Sequence, residues 1–313
     1  ARDISAFLTL DPQEAFEIAS GDSLNNLYLR LVQHDPLDFS RIIPGAAQSW
    51  EAAPDGKQIV FKIRQGLKFQ SGNPLTAEDA AFSLQRGILL DKQSAIILRQ
   101  FGWTKDNVKE RVRADGDKLV LSFEQPYATD LVLSALSATI ASVVDKKLVL
   151  ENERNGDLGN AWLRTHSAGA GAYKLIEWKA KDAVVMEAFP GYQGGSAPKL
   201  KRVIVRHVSE PAAQRLLLEK GDVDVAADLN PDQVQALADK PDLKVVQIPR
   251  GNVYYLAVNT SVPSLAKPEV WQAMRWLIDY EGIAGKLFRG QYKVNQTPVA
   301  SGTDGALTEQ PYK

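Results

Sequence analysis

The chain has 313 residues, of which 44% are hydrophobic and 24% charged, so it is long enough for about two domains with substantial cores. Lys and Arg together number 37 against 38 Asp and Glu, which leaves no positive excess to attract nucleic acid. There is no cysteine, which excludes disulfides, thiolate catalysis and Cys-ligated zinc.

Two features of the sequence bear on its location. The chain opens with ARDISAF and has no initiating Met, and a removed secretory signal would explain this start. The most apolar run, LVLSALSATIASVV at residues 131–144, is shorter than the roughly 20 residues that a membrane-spanning helix needs. We therefore predict that this run is a buried helix.

The first half of the chain contains two predicted hairpins with a helix between them. Pro54-Asp55-Gly56 forms a turn ahead of the alternating strand at 59–64, and Asp115-Gly116 forms the second turn. Thr76 followed by Asp79 is a capping box, which predicts a helix over residues 77–85.

From Tyr173 onward the pattern predicts strands at YKLIEW, DAVVMEAF and KRVIVRHV. A helix that ends before Gly221 and a short strand DVDVA follow, and this spacing suggests a parallel βαβ unit. Beyond it we predict a helix after Asn230-Pro231, a strand at residues 252–259 and a helix from Pro268.

Gly21-Asp22-Ser23-Leu24 matches the GDSL string of a serine hydrolase family. The nucleophile of such an enzyme needs a base, and that family supplies it from a late Asp-x-x-His. None of the three histidines here has an Asp three positions before it. The histidines are also too scattered for a metal site, so the sequence offers no catalytic constellation, and the GDSL-type hydrolase is a minor alternative.

A series of short motifs occurs in a fixed order along the chain. They are LDP at 10–12, GAAQSW at 45–50, PDG at 54–56, FKIR at 61–64, GLKF at 66–69, GNPLTAED at 72–79, GAGAY at 169–173, PGYQGG at 190–195 and the helix at 270–283. Together they resemble the family 5 extracellular solute-binding proteins, which are the peptide, dipeptide and nickel receptors of bacterial ABC importers. Ala170 and Ala172 replace the Thr and Pro that are usual in the family's glycine loop, a change expected at the floor of the cleft.

The resemblance implies an α/β fold of the periplasmic-binding-protein type II class, with two lobes around a cleft and an accessory α+β domain. Residues 1–50 and 167–250 would form domain I, a discontinuous ligand-binding lobe, and residues 51–166 the accessory domain II. Residues 251–313 would begin domain III, the second lobe. Because the resembling proteins continue well beyond this point, we expect an incomplete second lobe and a low solute affinity for these 313 residues alone.

The function implied by the resemblance is that of a receptor, not an enzyme, without a cofactor. It would capture a small solute, an oligopeptide or dipeptide, and deliver it to the permease subunits of an ABC importer in the inner membrane. We expect a monomer in the periplasm, or lipid-anchored outside a Gram-positive cell, made with a signal peptide that is removed. A nickel or metal-chelate receptor of the same family is the alternative, since chelated metal can bind through arginine and aromatic side chains.

Four candidate site residues lie in two segments, one after the LDP motif and one just before a predicted helix. The resemblance places Ile18, Ala19 and Ser20 at the cleft and Asn230 in a second ligand-facing loop. Local packing of residues 18–20 and N-capping by Asn230 are the alternative interpretations.

Three further candidates, Arg250, Tyr254 and Tyr255, fall on the predicted strand that crosses between the lobes of the family. Side chains alternate along a strand, so the two tyrosines would face opposite sides, and we favour Tyr255 as the one that contacts solute. Arg250 could equally be a solvated strand end.

Overall fold

The computed structural model describes residues 1–35, 38, 41–247, 251, 253–301, 306–307 and 309. The chain divides into two compact units, Ala1–Ala227 and Asp228–Lys313, called unit 1 and unit 2 below. Among the described residues, no helix combines the length and the apolar character that crossing a bilayer requires.

Unit 1 contains eight α-helices and eleven strands within its described residues. The helices are α1 (Ile18–Leu27), α2 (Ala77–Leu90), α3 (Ile96–Arg99), α4 (Val108–Arg111), α5 (Thr129–Leu136), α6 (Lys146–Glu151), α7 (Asn160–Leu163) and α8 (Pro211–Lys220). The strands are β1 (Leu29–Arg30), β2 (Val32–His34), β3 (Ile42–Pro44), β4 (Ala47–Ala52), β5 (Gln58–Ile63), β6 (Val112–Asp115), β7 (Lys118–Ser122), β8 (Ser142–Val143), β9 (Tyr173–Lys179), β10 (Ala183–Ala188) and β11 (Arg202–Arg206).

The larger core of unit 1 is built on an antiparallel sheet with the strand order β4-β5-β7-β6. Both predicted hairpins are confirmed, since β4 pairs with β5 and β6 with β7. Phe61 lies opposite both Trp50 and Leu119 in this sheet. The strand alternation predicted for β5 is also seen, because Ile59, Phe61 and Ile63 are almost fully buried.

Helix α2 covers this sheet and begins at the predicted capping box. The Thr76 Oγ1 accepts a bond from the Asp79 N–H, and the Asp79 carboxylate accepts one from the Thr76 N–H at 2.9 Å. The helix continues five residues beyond the predicted end, to Leu90. Burial rather than the cap explains the extra length, because Arg86 and Ile88 lie in the interior.

The prediction of a single helix at residues 131–144 is wrong beyond Leu136. Helix α5 ends there, and the Ser137 hydroxyl donates to the Ser134 carbonyl at 2.6 Å. A 3₁₀ turn follows at Thr139–Ala141, and β8 then pairs antiparallel with β1. Most of the run is buried, although Leu131 is exposed, and its β-branched second part favours the strand.

The predicted parallel βαβ unit is also wrong. The three strands β9, β10 and β11 form an antiparallel sheet in the order β11-β10-β9, and residues 222–227 form no strand. The amino terminus occupies the place beside β11, since Arg2 makes a parallel bridge to His207. Residues 222–227 instead hydrogen-bond to the first residue of the chain, since the Ala227 N–H donates to the Ala1 carbonyl at 3.1 Å.

Unit 2 contains α9 (Pro231–Ala238), α10 (Pro268–Leu277) and a π-helical turn, Gly282–Leu287. Both α-helices begin at a proline in the first turn, as predicted. The described part of the predicted strand, residues 253–259, has no strand structure. A strand needs a neighbour for its backbone hydrogen bonds, and the described residues of unit 2 provide none.

Candidate functional site

The loop that leads into α1, residues 8–17, is buried along most of its length but exposes side chains near its two ends. Glu17 stands at the N-cap position but does not cap the helix. Its carboxylate instead accepts bonds from the backbone N–H groups of Leu8, at 3.2 Å, and Phe16, at 3.0 Å. Glu17 therefore closes residues 8–17 into a loop that ends at the first turn of α1.

Three large apolar side chains on this loop and helix start face solvent. The exposed fractions of Leu8, Phe16 and Ile18 are 64%, 48% and 65%. We call these three residues the apolar rim. Single exposed apolar side chains are ordinary on a protein surface, whereas several on one closed loop suggest a contact surface.

The three predicted cleft residues of α1 differ in their exposure to solvent. Ile18 is exposed, whereas Ala19 packs against the core that contains Ile4 and Phe7. Ser20 is buried, and its hydroxyl donates to the Glu17 carbonyl at 3.1 Å. Sequence reasoning missed Leu8 and Phe16, and the signal that could have found them is their position on either side of the LDP motif.

The glycine loop at residues 169–173 supports the other end of α1. A Cβ on Gly169 would lie 2.0 Å from the Leu27 carbonyl oxygen, and one on Gly171 would lie 2.2 Å from that of Asn26. The Gly171 N–H donates to the Leu27 carbonyl at 2.9 Å. The two glycines therefore allow the loop backbone to touch the last turn of α1, and Ala170 between them is buried in the core rather than exposed on a cleft wall.

A buried ion pair anchors the loop between Leu8 and Phe16, two residues of the apolar rim. The Arg86 guanidinium donates to both carboxylate oxygens of Asp11, at 2.7 and 2.6 Å, and neither side chain is exposed. Gln13 accepts a further bond from Arg86 at 2.8 Å, and Asn160 donates to Asp11 at 2.7 Å. A bidentate pair of this kind fixes the position of Asp11 relative to α2. The LDP motif therefore anchors the loop and is not part of its exposed surface.

Tyr28, directly after α1, is buried and donates its hydroxyl to the Leu10 carbonyl at 3.1 Å. Burial raises the pKa of the Tyr28 hydroxyl, and the negative charge of Asp11 raises it further. Tyr28 therefore remains a neutral donor that connects the end of α1 to the LDP motif.

In unit 2, Asn230 directly precedes α9, and its N–H donates to the Gln233 side chain at 2.9 Å. Tyr254 and Tyr255 are both exposed, at 76% and 80%, in a segment without strand structure. The Tyr254 ring lies 5.2 Å from that of Tyr292 in an edge-to-face arrangement. The remaining candidate, Arg250, lies outside the described residues.

A cavity of about 270 Å³ lies in unit 2 between α10 and residues 256–260. Its walls are mainly apolar, and none of the candidate residues described for unit 2 lines it. The lining residues are Leu256, Val258, Thr260, Trp271, Met274, Arg275 and Ile278.

The hydrolase alternative has no support in the geometry. Ser23 lies in the middle of α1 and is 2% exposed, whereas a nucleophilic serine must reach its substrate. Across the part of the chain that the structure describes, no group of three or more His, Asp or Glu side chains is placed to hold a metal ion.

Comparison with known proteins identifies the family. The model of the bacterial extracellular solute-binding proteins, family 5 Middle, matches residues 41–313. The chain is 30% identical over 300 residues to the probable D,D-dipeptide-binding periplasmic protein DdpA of Escherichia coli (strain K12), covering 95% of this chain and 56% of that protein. It is 26% identical over 288 residues to the glutathione-binding protein GsiB of Salmonella typhi, covering 91% and 53%.

A solved structure has the same fold. The periplasmic binding protein DppA of Helicobacter pylori, in complex with the peptide STSA, superposes with a TM-score of 0.77 at 22% identity, covering 94% of this chain and 58% of that one. The chain thus spans a little over half the length of these relatives. Its fold is that of the matching part of a type II periplasmic binding protein. It belongs to the bacterial extracellular solute-binding proteins of family 5.

Proposed function

We propose that this chain supplies a solute-binding lobe to the receptor of a bacterial ABC importer, and that the solute is an oligopeptide or dipeptide. The observation that carries the proposal is the similarity along 95% of the chain to a D,D-dipeptide-binding protein. The receptor would act in the periplasm, or lipid-anchored at the exterior of a Gram-positive cell, and would hand its solute to permease subunits without chemical change.

The proposed domain division assigns residues 1–50 and 167–250 to the first lobe, residues 51–166 to the accessory domain and residues 251–313 to the second lobe. The apolar rim would form the surface of the first lobe that meets the solute. Its side chains suit the apolar parts of a peptide, while the backbone of a peptide is recognised by hydrogen bonds to the main chain. Both oxygens of Glu17 already accept bonds from Leu8 and Phe16, so Glu17 holds the loop.

In unit 2 we assign solute contact to Tyr255 and, by position, to Asn230 and Arg250. An exposed tyrosine can supply a large contact area with little loss of conformational freedom. Tyr254, whose ring packs on Tyr292, would instead stabilise the local fold.

Native mass spectrometry of the product of the complete gene tests the proposal. The protein is purified without denaturation, its bound material is released by mild acid, and binding is then measured calorimetrically. The probes are D-alanyl-D-alanine, L-methionyl-L-leucine, glutathione and a nickel–histidine complex. We expect a released peptide and saturable binding of at least one of the peptide probes. Binding of the nickel complex alone would favour the metal-chelate alternative, and turnover of any probe would contradict a receptor.

A further inference from the structure

Gln70 joins three separate parts of unit 1 through one side chain. Its carboxamide nitrogen lies 3.0 Å from the Leu27 carbonyl oxygen, 3.2 Å from that of Gly171 and 2.7 Å from that of Tyr173. Its backbone N–H donates to the Gly169 carbonyl at 3.0 Å. Gln70, which falls in the proposed accessory domain at residues 51–166, therefore ties the end of α1 to the glycine loop.

Helix α1 depends on such a tie because its own sequence is a poor helix former. Six of the ten residues in IASGDSLNNL are Ser, Gly, Asp or Asn, which rank low in helix propensity. No side chain caps its start, and a helix of this length is marginal without tertiary contacts.

The Leu27 carbonyl is one of the final carbonyls of α1, which have no partner within a helix. It accepts from the Gly171 N–H and from Gln70, so these two donors hold the carboxyl end of α1. Ile18, of the apolar rim, begins the same helix, about 14 Å away at 1.5 Å per residue.

We propose that Gln70 is a positioning residue for the solute site, which it holds by fixing α1 against the glycine loop from the accessory domain. Gln70 does not contact solute. Its loss lets α1 fray, and Ile18 then no longer has one position. This inference rests on the proposed function, in which the apolar rim meets the solute.

The test compares Gln70→Met, which keeps the length of the side chain but removes its N–H donors, with a matched control. The control, Gln85→Met, removes the hydrogen bond that Gln85 donates to the Val112 carbonyl at 2.6 Å. That bond joins α2 to β6 within the proposed accessory domain. The readouts are hydrogen exchange of the Gly171 and Tyr28 amides, urea unfolding, and the affinity of the complete gene product for D-alanyl-D-alanine, L-methionyl-L-leucine and glutathione.

In Gln70→Met we expect about tenfold to hundredfold faster exchange at Gly171 and Tyr28, the range for loss of buried hydrogen bonds, and a comparably weaker affinity for the bound probe. Gln85→Met should leave both readouts within about twofold of wild type, because α1 keeps its tie. Unchanged exchange at Gly171 in a folded Gln70→Met protein overturns the tie, and faster exchange with unchanged affinity overturns the positioning role.

Gln70→Glu provides a second variant in case Gln70→Met fails to fold. An ionised carboxyl at position 70 can only accept, and it faces three carbonyl oxygens. Protonation restores one donor, so the excess exchange over wild type should shrink as the pH falls, and a pH-independent excess contradicts the proposal. A wild-type protein that binds no peptide probe refutes the proposed function itself, and that result is separate from any difference between variants.

Discussion

The Asp11–Arg86 pair offers the sharpest test of how the loop between Leu8 and Phe16 is anchored. In Arg86→Met the side chain loses bonds to Asp11, Gln13 and the Leu158 carbonyl, at 2.6 to 2.8 Å. The Asp11 carboxylate then stays buried without its counter-charge. Breaking a buried pair in this way costs about 3–5 kcal/mol of unfolding free energy, which corresponds to a fall in Tm of about 6–20 °C for a unit of this size.

Urea unfolding followed by circular dichroism measures this free energy, and two further variants interpret it. Arg111→Met removes the exposed pair with Glu124, whose charged atoms are 3.3 Å apart, and should cost less than about 1 kcal/mol. The double variant Asp11→Asn with Arg86→Met removes the unpaired charge, so it should be more stable than Arg86→Met alone. The reasoning is refuted if Arg86→Met costs no more than Arg111→Met, or if the double variant is the least stable of the set.

Three other predictions concern unit 1. Burial is the main cause that raises the pKa of the Asp79 carboxyl above its ordinary 3.8. The contribution of Asp79 to the unfolding free energy is therefore full at low pH and declines as the pH rises through the folded pKa. Urea titrations from pH 4 upward should show this decline in the wild type and not in Asp79→Asn. Parallel pH profiles of the two proteins would contradict the prediction. Gly171→Ala should unfold at a clearly lower urea concentration, because the added Cβ would strike the backbone of α1. Gly21→Ala lies within α1 with open space around it and should gain about 0.5–1 kcal/mol of unfolding free energy. Equal effects of the two variants would show that the glycine loop shifts to accept the Cβ. Ile18→Asp should weaken peptide binding at least about tenfold, as for loss of an apolar contact residue. Ile96, which is about equally exposed at 64%, provides the control, and Ile96→Asp should leave the affinity unchanged. Calorimetry measures both affinities, and equal affinities of the two variants would contradict a site at Ile18.

Much of the local structure was predictable because its determinants lie within a few neighbouring residues. The capping box of Thr76 and Asp79, the turn at residues 54–56 and the alternation in β5 each need only four to six positions. The ordered motifs also predicted the family, since they extend from Leu10 to the helix that begins at Pro268. The candidate residue Ile18 came from the same motifs, and its side chain is exposed.

The errors arose where a long-range neighbour decided the outcome. Residues 222–227 have a strand-like pattern, but the edge beside β11 pairs with Arg2, more than 200 positions away. The apolar run after α5 continues as β8 because β1 is there to pair with it. At residues 253–259 the described part of unit 2 supplies no strand partner, and a β pattern without a partner does not form a strand.

By itself the sequence determined the two hairpins, the capped helix α2, the turns that bound them, and the family, because these depend on short-range order and on motifs read along the chain. The tertiary structure decided which side chains are available. It buried Ser20 while exposing Ile18, committed Glu17 to the loop, and brought Gln70 to carbonyls 43, 101 and 103 positions away. The physical reason is that hydrogen bonds and burial are set by neighbours in space, and no local pattern encodes which distant backbone will approach.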